Sequence, residues 1–529
     1  MLFNAVKHKE MASNVLNYRI GNIAPILSAE QYSRQSFIKT EHMQLRAFIR
    51  HLIQPSFFIS TLLLFTALSG RAQFTINDTF GDLTECDTMT RGIFIVWWDK
   101  DFDLTAKADQ LLDTMISYRN ICLNDLDMAD PPNPENGYYY NVYLHGGGFF
   151  APQNWGNGQG TDSNGFPFLT LPKDAVNDWV NTAHETFHIF QYNANSPGFA
   201  YSGDSQWYIE ASANWFAARQ NPDSPRRFVE AESLVRMPHV PFWLSYDNFP
   251  ADYPPNWQRY VHQYALALYL YYLTDIAGVS EDLITAGMFS GTLELPQEYM
   301  YNTLGGAEFR QHFIDWAAHM TNDFDFIPAY QAATNLNEWN DYADPDDDNE
   351  FIAVYDNQGS GGWVSPEPDR VTNAWSFNTF KLNNSQAETY TFEINGDATG
   401  SYGDNAYFQG KVLVRNSSTG PGFYDLEMTD DTHGSLSLAL TPEDTAAYFI
   451  VAAMPEKFED DHPSFQQFPF QARITAGPVT GVLETDTAKT RTEVKRFNFL
   501  GQEIDKDQGG LLLILYDDGT VEKRYQINY

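Results

Sequence analysis

His184-Glu185-Thr186-Phe187-His188 sets two imidazoles four residues apart. On an α-helix this spacing puts both rings on one face, where their nitrogens can reach a single ion. Zinc is the natural occupant, because it accepts neutral imidazole and carboxylate in a four-coordinate site and, where it catalyses, leaves one position for water. Glu185, beside the first imidazole, is placed to take a proton from that water. With 12 His in 529 residues, such a pattern arises by chance on the order of once in a hundred such chains, so its surroundings must carry the reading.

Those surroundings supply a third ligand. Trp207-Tyr208-Ile209-Glu210-Ala211-Ser212-Ala213-Asn214-Trp215 is a helical stretch with aromatics on both sides of one carboxylate. A lone charge there is costly unless it is paired or binds metal, which singles out Glu210 as the candidate. Asn214, one turn later, shares its face and can orient His184 or His188 by a hydrogen bond. The pattern of His184-Glu185-x-x-His188 with Glu210 on a second helix resembles the gluzincin metallopeptidases, which include thermolysin-like and M1 aminopeptidase-like families. The resemblance covers about residues 180 to 215. It implies a Tyr or His on a following helix that donates to the tetrahedral oxyanion; Tyr260-Val261-His262-Gln263-Tyr264-Ala265 is the matching region, with Tyr264 first and His262 second. The plainer alternative makes Tyr264 a core aromatic alongside Tyr269, Tyr271 and Tyr272. A Gly-Ala-Met-Glu-Asn-like exopeptidase segment is missing, which favours endopeptidase action.

The elements that must position these groups follow from periodicity. Thr90 to Asp99 reads as one buried strand, Leu104 to Asp125 as a helix, Tyr138 to Leu144 as a second strand and Phe166 to Leu171 as a short edge strand. Lys173 to Tyr192 is the helix carrying the two histidines; further helices are expected over Ser205 to Arg219 and Gln258 to Thr274, and onward to about Asn335. Gly146-Gly147-Gly148 and the glycines that follow match no phosphate-binding spacing. Strands then helices in this order predict an α+β unit over residues 73–340, which the resemblance implies is a gluzincin-like metallopeptidase domain. An acidic and Gly-containing linker, 341–370, follows; its carboxylates invite Ca²⁺ but lack the Gly and terminal Glu of an EF-hand loop. Alternating segments over 371–480 predict an all-β sandwich, and 483–529 a small C-terminal β module. A metal domain followed by a β-rich domain containing Ala452-Ala453-Met454-Pro455 resembles bacterial secreted proteins of the DUF6055 kind.

A formal charge of −37 repels phosphate backbones and anionic membranes, which argues against nucleic-acid binding. Two cysteines, Cys86 and Cys122, rule out a disulfide framework and a Cys-rich zinc module, and leave one bridge as an open question. From Met43, the basic residues Arg46 and Arg50, the apolar run Phe57 to Leu68 and then Gly70-Arg71-Ala72 read as a signal peptide, 43–72, cleaved before Gln73. Residues 1–42 read as an upstream extension outside the native start. The apolar run is short for a membrane span, so no stable span is expected in the exported form. Without residues 1–72, which hold eight Lys or Arg against three Asp or Glu, the remainder is more acidic still.

Near the end, Leu500-Gly501-Gln502, the apolar run before Tyr516, and Asp518-Gly519 before Lys523 resemble the C-terminal sorting modules of the type IX secretion system in Bacteroidetes. That resemblance implies a partner in the secretion machinery and a secreted or outer-surface location in a Gram-negative bacterium. The expectation is therefore a secreted zinc peptidase acting on a peptide or protein substrate. Its rival is a non-catalytic surface or glycan-binding protein that retains a vestigial zinc site.

Overall fold

The computed structural model describes residues 74–76, 84–146, 164–328 apart from 226 and 251–256, residue 331, residues 354–477 apart from 358, 383–388, 460, 461 and 463, and residues 493–498, 504, 510–516 and 521–526. The upstream extension, the signal segment, the acidic run 341–350 and the turn residues Gly501 and Gly519 lie outside them. The chain is a mixed α/β protein with several β-sheets.

The run expected to be one strand is a hairpin. β1 (Cys86–Arg91) pairs antiparallel with β2 (Phe94–Asp99), and the turn passes through Gly92 at φ +54. A side chain on Gly92 would place its Cβ 2.5 Å from Ile116 Cδ1, so glycine is needed for the close approach as well as the backbone. The helix α1 (Thr105–Asn124) follows, then β3 (Tyr140–His145) and β4 (Leu169–Pro172). Both run parallel to β2 in the order β1-β2-β3-β4. Alternation sorts the faces of this sheet. Phe94, Val96 and Trp98 pack in the same apolar core as Cys122 of α1, whereas Ile95 and Trp97 join Cys86, Tyr143 and Phe168 in a separate cluster. The cysteines thus belong to opposite faces of the sheet, and both are free thiols.

Two helices carry the predicted ligands: α2 (Trp179–Gln191) and α3 (Gln206–Gln220). α2 starts at Trp179, later than its periodicity suggests, because the Asp178 side chain caps it by accepting from the Asn181 N–H at 3.2 Å. α3 is apolar around most of its circumference and is buried on every side, as such a helix must be. Its polar atoms have partners: Trp207 Nε1 donates to Gln297 Oε1 (3.1 Å) and Trp215 Nε1 to Thr274 Oγ1 (2.9 Å). α4 (Trp257–Ala265) is continued by Ala267–Tyr271 and a π-helical turn, Tyr272–Ile276; α5 (Pro296–Leu304) and α6 (Gly306–Thr321) complete the helical part.

Beyond it lie two five-stranded sheets. One has the order β10-β9-β13-β7-β5, formed by β5 (Val354–Asn357), β7 (Ser376–Leu382), β9 (Phe408–Asn416), β10 (Gly422–Asp425) and β13 (Asp444–Ala453). The other has the order β11-β12-β8-β14-β6, formed by β6 (Ser360–Val364), β8 (Thr389–Gly396), β11 (Glu427–Met428), β12 (His433–Ala439) and β14 (Phe470–Gly477). In β8, buried Tyr390, Phe392 and Ile394 alternate with outward residues, the pattern of a strand covered on one face. In β13, every residue from Ala447 to Ala453 is buried. The reason is α6, which lies across this sheet: Arg310 Nε donates to the Met454 carbonyl at 3.0 Å, and buried Lys411 pairs with Asp315 at 2.8 Å. A three-stranded antiparallel unit, β15 (Glu493–Asn498), β16 (Gly510–Tyr516) and β17 (Val521–Gln526), ends the described chain.

Helices and sandwich share one apolar core, with Trp375 at the seam. Its backbone sits at φ +54, a left-handed conformation that costs a non-glycine residue roughly 1–3 kcal/mol and persists only where the surroundings impose it. They do so here. Trp375 N–H donates to Ala453, its carbonyl accepts from Phe242 N–H, its Nε1 donates to the Lys457 carbonyl, and its ring packs against Phe309, Phe313 and Phe458. Trp375→Ala is expected to lower unfolding stability by about 3–5 kcal/mol. Equilibrium urea denaturation measures this; a loss under about 1 kcal/mol, the size of an ordinary surface substitution, would show that the seam does not depend on this ring.

Candidate metal centre

α2 and α3 run antiparallel. As residue numbers on α2 rise through 184, 188 and 191, their partners on α3 fall through 214, 210 and 209. Phe187 of α2 stacks on Phe216 of α3, with ring centroids 4.8 Å apart, and sets the apolar part of the contact. The polar part is the site. His184 Nε2 and His188 Nε2 lie 3.0 Å apart, and Glu210 Oε2 is 3.2 Å from the first and 3.5 Å from the second. A tetrahedral ion with bonds of about 2.0–2.1 Å separates its ligand atoms by about 3.3–3.4 Å, so this triangle fits a small four-coordinate metal ion. Among the described residues, His184, His188 and Glu210 form the one cluster of His, Cys, Asp or Glu able to share an ion, and all three are buried.

The far side of each imidazole decides whether Nε2 can bind metal. Asn214 Oδ1 lies 2.7 Å from His184 Nδ1, and the same amide donates through Nδ2 to the Tyr264 carbonyl at 3.3 Å. With its NH₂ committed there, Asn214 can only accept from His184, which places the proton on Nδ1 and leaves Nε2 with a lone pair for the metal. Gln191 does the same for His188. Its Nε2 donates to the Ile209 carbonyl (3.0 Å) and Ser212 Oγ (2.8 Å), so its Oε1 accepts from His188 Nδ1 at 2.6 Å. Sequence reasoning named Asn214 from its place one turn after Glu210 and missed Gln191. The signal for Gln191 was present, since it follows His188 by three residues on the same helix.

Tyr201, in the link between the two helices, was also missed. Its hydroxyl donates to Glu210 Oε1 at 2.6 Å. Burial and the neighbouring carboxylate raise its pKa, so it remains a donor. Glu185 is buried one residue after His184, and its charge helps to hold a proton on His188. Tyr264 lies over the same region, its ring centroid 6.0 Å from that of His184; burial, reinforced by Glu210, raises its pKa and keeps it protonated.

His262 is engaged elsewhere. Its Nε2 donates to the Pro241 carbonyl at 3.1 Å, its ring packs edge-on against Phe249, and burial pushes its pKa down to about 4. The reason is helical geometry: two residues apart on α4, His262 and Tyr264 are turned about 200° from one another and cannot address the same site. His262 is therefore withdrawn as an oxyanion donor.

Charge completes the picture. Burial would favour the neutral acid at Glu210, but the two imidazoles outweigh it and hold its pKa well below the usual carboxylate range. Burial would likewise strip the proton from His188, but Glu210, helped by Glu185 and Gln191, pushes its pKa up to about 9. Without metal, this proton stabilises the folded chain in full below about pH 6.5 and loses its effect as pH rises to about 9. A metal ion must displace it. Apparent affinity for a divalent ion is therefore expected to rise roughly tenfold per pH unit from about pH 7 to about 9 and to level off above. Competition titrations against a chelator of known affinity check this; a flat profile across that range would contradict it.

Comparison with known proteins adds a family and little else. No curated protein matches the chain. Solved structures that match do so slightly. The CBM22-1 and GH10 modules of Clostridium thermocellum endo-1,4-β-D-xylanase 10B, solved with xylohexaose, share 13% identity over 19% of this chain and 20% of that one, with a TM-score of 0.13. CorA, a surface-associated copper-binding protein of Methylomicrobium album BG8, shares 10% over 24% and 91%, with a TM-score of 0.13. A family GH115 4-O-methyl-α-glucuronidase with specificity for decorated arabinogalactans shares 9% over 52% and 40%, with a TM-score of 0.14. This chain thus spans a fifth of the first and less than half of the third. The sequence profile of one family, described as of unknown function, matches residues 88–481, a stretch that takes in His184, His188, Glu210 and both sandwich sheets. The chain belongs to that family, DUF6055.

Proposed function

We propose that the chain is a secreted zinc-dependent peptidase of the gluzincin type, acting as an endopeptidase on a peptide or protein substrate. The observation that carries this is the ligand triangle itself. Three buried donor atoms stand at tetrahedral-zinc spacing, both imidazoles have Nδ1 engaged so that Nε2 is the nitrogen turned toward the shared position, and a carboxylate follows directly on the first of them. Two imidazoles and a carboxylate are the donor set of many catalytic zinc sites, which keep a fourth position for solvent.

His184, His188 and Glu210 would hold the ion, which supplies Lewis acidity toward the scissile carbonyl and the attacking water. Glu185 takes the water's proton and later delivers it to the leaving amine. Tyr264, kept protonated by burial and by Glu210, donates to the oxyanion as negative charge develops there. The buried walls of α2 and α3 lower the local dielectric and strengthen each of these interactions. Export rests on the signal-like segment 43–72, and delivery to the outer surface on the C-terminal tail, whose partner is the type IX secretion machinery.

Purified protein is expected to carry one zinc per chain and to cleave members of a peptide library, with chelation abolishing cleavage. Glu185→Gln should keep the zinc and reduce hydrolysis by about 10²–10⁴-fold. Unchanged hydrolysis in that variant would overturn the assignment of the base. Stoichiometric zinc without any cleavage would favour the non-catalytic surface or glycan-binding reading instead.

A further inference from the structure

We infer that Tyr201 is a positioning residue that holds Glu210 to one-oxygen ligation and so keeps a coordination position of the metal open. This rests on the reading of His184, His188 and Glu210 as a metal site. Glu210 divides its two oxygens. Oε2 faces both imidazoles, at 3.2 and 3.5 Å, whereas Oε1 accepts the Tyr201 hydroxyl at 2.6 Å. A carboxylate with both oxygens free can close on an ion in bidentate fashion and fill the position that water or substrate would occupy. A short hydrogen bond from phenol to carboxylate opposes that rotation, because closing would forfeit a charge-assisted bond in a buried setting.

The link that carries Tyr201 is built to hold it. Asn195 and Ser196 N–H groups donate to the Met288 carbonyl at 3.0 and 3.2 Å, and Ser196 Oγ donates to the Gly287 carbonyl at 2.6 Å. Gly198 N–H donates to the Thr292 carbonyl, and the chain runs so near residue 294 that a Cβ on Gly198 would fall 1.9 Å from the Glu294 carbonyl oxygen. Phe199 packs edge-on against Tyr208 of α3 and Tyr299 of α5. Two residues beyond this anchor comes Tyr201, which is 45% exposed. The ring is thus open to solvent on one side while the hydroxyl is desolvated, between the Gln206 side chain and the Glu210 carboxylate it donates to.

The test uses Co²⁺ in place of the native ion, in the full chain and in Tyr201→Phe. The wild type is expected to show the intense visible absorption of a four-coordinate site, and the variant the weaker bands of a five-coordinate one as Glu210 turns bidentate. Zinc affinity in the variant should fall roughly 10- to 100-fold, the usual effect of removing a hydrogen bond to a metal ligand. Thermal unfolding of the metal-free protein should be little changed, which separates a positioning role from a structural one. A variant with the wild-type cobalt spectrum and affinity would overturn the inference while leaving the metal site intact. A phenolate-to-metal charge-transfer band in the Cu²⁺-loaded wild type, lost in the variant, would also overturn it by making Tyr201 a ligand. A wild-type chain that takes up no Co²⁺ would remove the metal reading itself.

Discussion

Burial of the Glu210 carboxylate is the constraint around which this structure is arranged. Buried between α2 and α3 beside His184, His188 and Tyr201, the Glu210 carboxylate has lost most of its hydration, and an uncompensated charge in such a place is prohibitive. Compensation comes from the neighbouring helix, where two imidazoles one turn apart face it across the antiparallel contact of α2 and α3. In the metal-free chain a proton on His188 supplies the positive charge. A divalent ion in the same place would supply more of it, and from the centre of the triangle rather than from one corner.

The remaining contacts serve that triangle by restricting what each donor can do. Asn214 and Gln191 are both amides whose NH₂ groups are engaged by backbone or hydroxyl acceptors, so each can offer only its oxygen to an imidazole. Tyr201 restricts the carboxylate in the same sense by engaging one of its two oxygens. Around this, the stacking of Phe187 on Phe216 sets the distance between helices, and the hydrogen bonds of Trp207 and Trp215 fix α3 to the helices behind it. The sandwich takes part through α6, which buries the outer face of β13, and through Trp375, whose strained backbone is held from both layers.

Much of the site was legible because its signals are local and periodic. Two histidines at i and i+4 declare a shared helix face, and a single carboxylate among aromatics declares a need for a partner. Asn214 followed from the same one-turn rule. What the sequence conceals is whatever depends on the opposing element. Gln191 orients His188 only because α3 presents an acceptor carbonyl and hydroxyl to its NH₂. Tyr201 has no periodic mark at all, since it sits in a link whose path is set by contacts near residues 287 to 294. In the fold, Thr90 to Asp99 reads as one apolar strand because the turn at Gly92 interrupts it with a single glycine; the continuous burial of β13 depends on a helix more than a hundred residues earlier in the chain. His262 and Tyr264 differ in kind, because their spacing alone forbids a common face.

The central claim, that these three side chains bind one ion with a position to spare, is most directly tested by X-ray absorption at the metal edge of the zinc-loaded protein. The account predicts one zinc per chain with a first shell of about four nitrogen and oxygen atoms at about 2.0–2.1 Å, including the outer-shell scattering of two imidazoles. A six-oxygen shell without imidazole scattering, or zinc removed by simple buffer exchange, would contradict it.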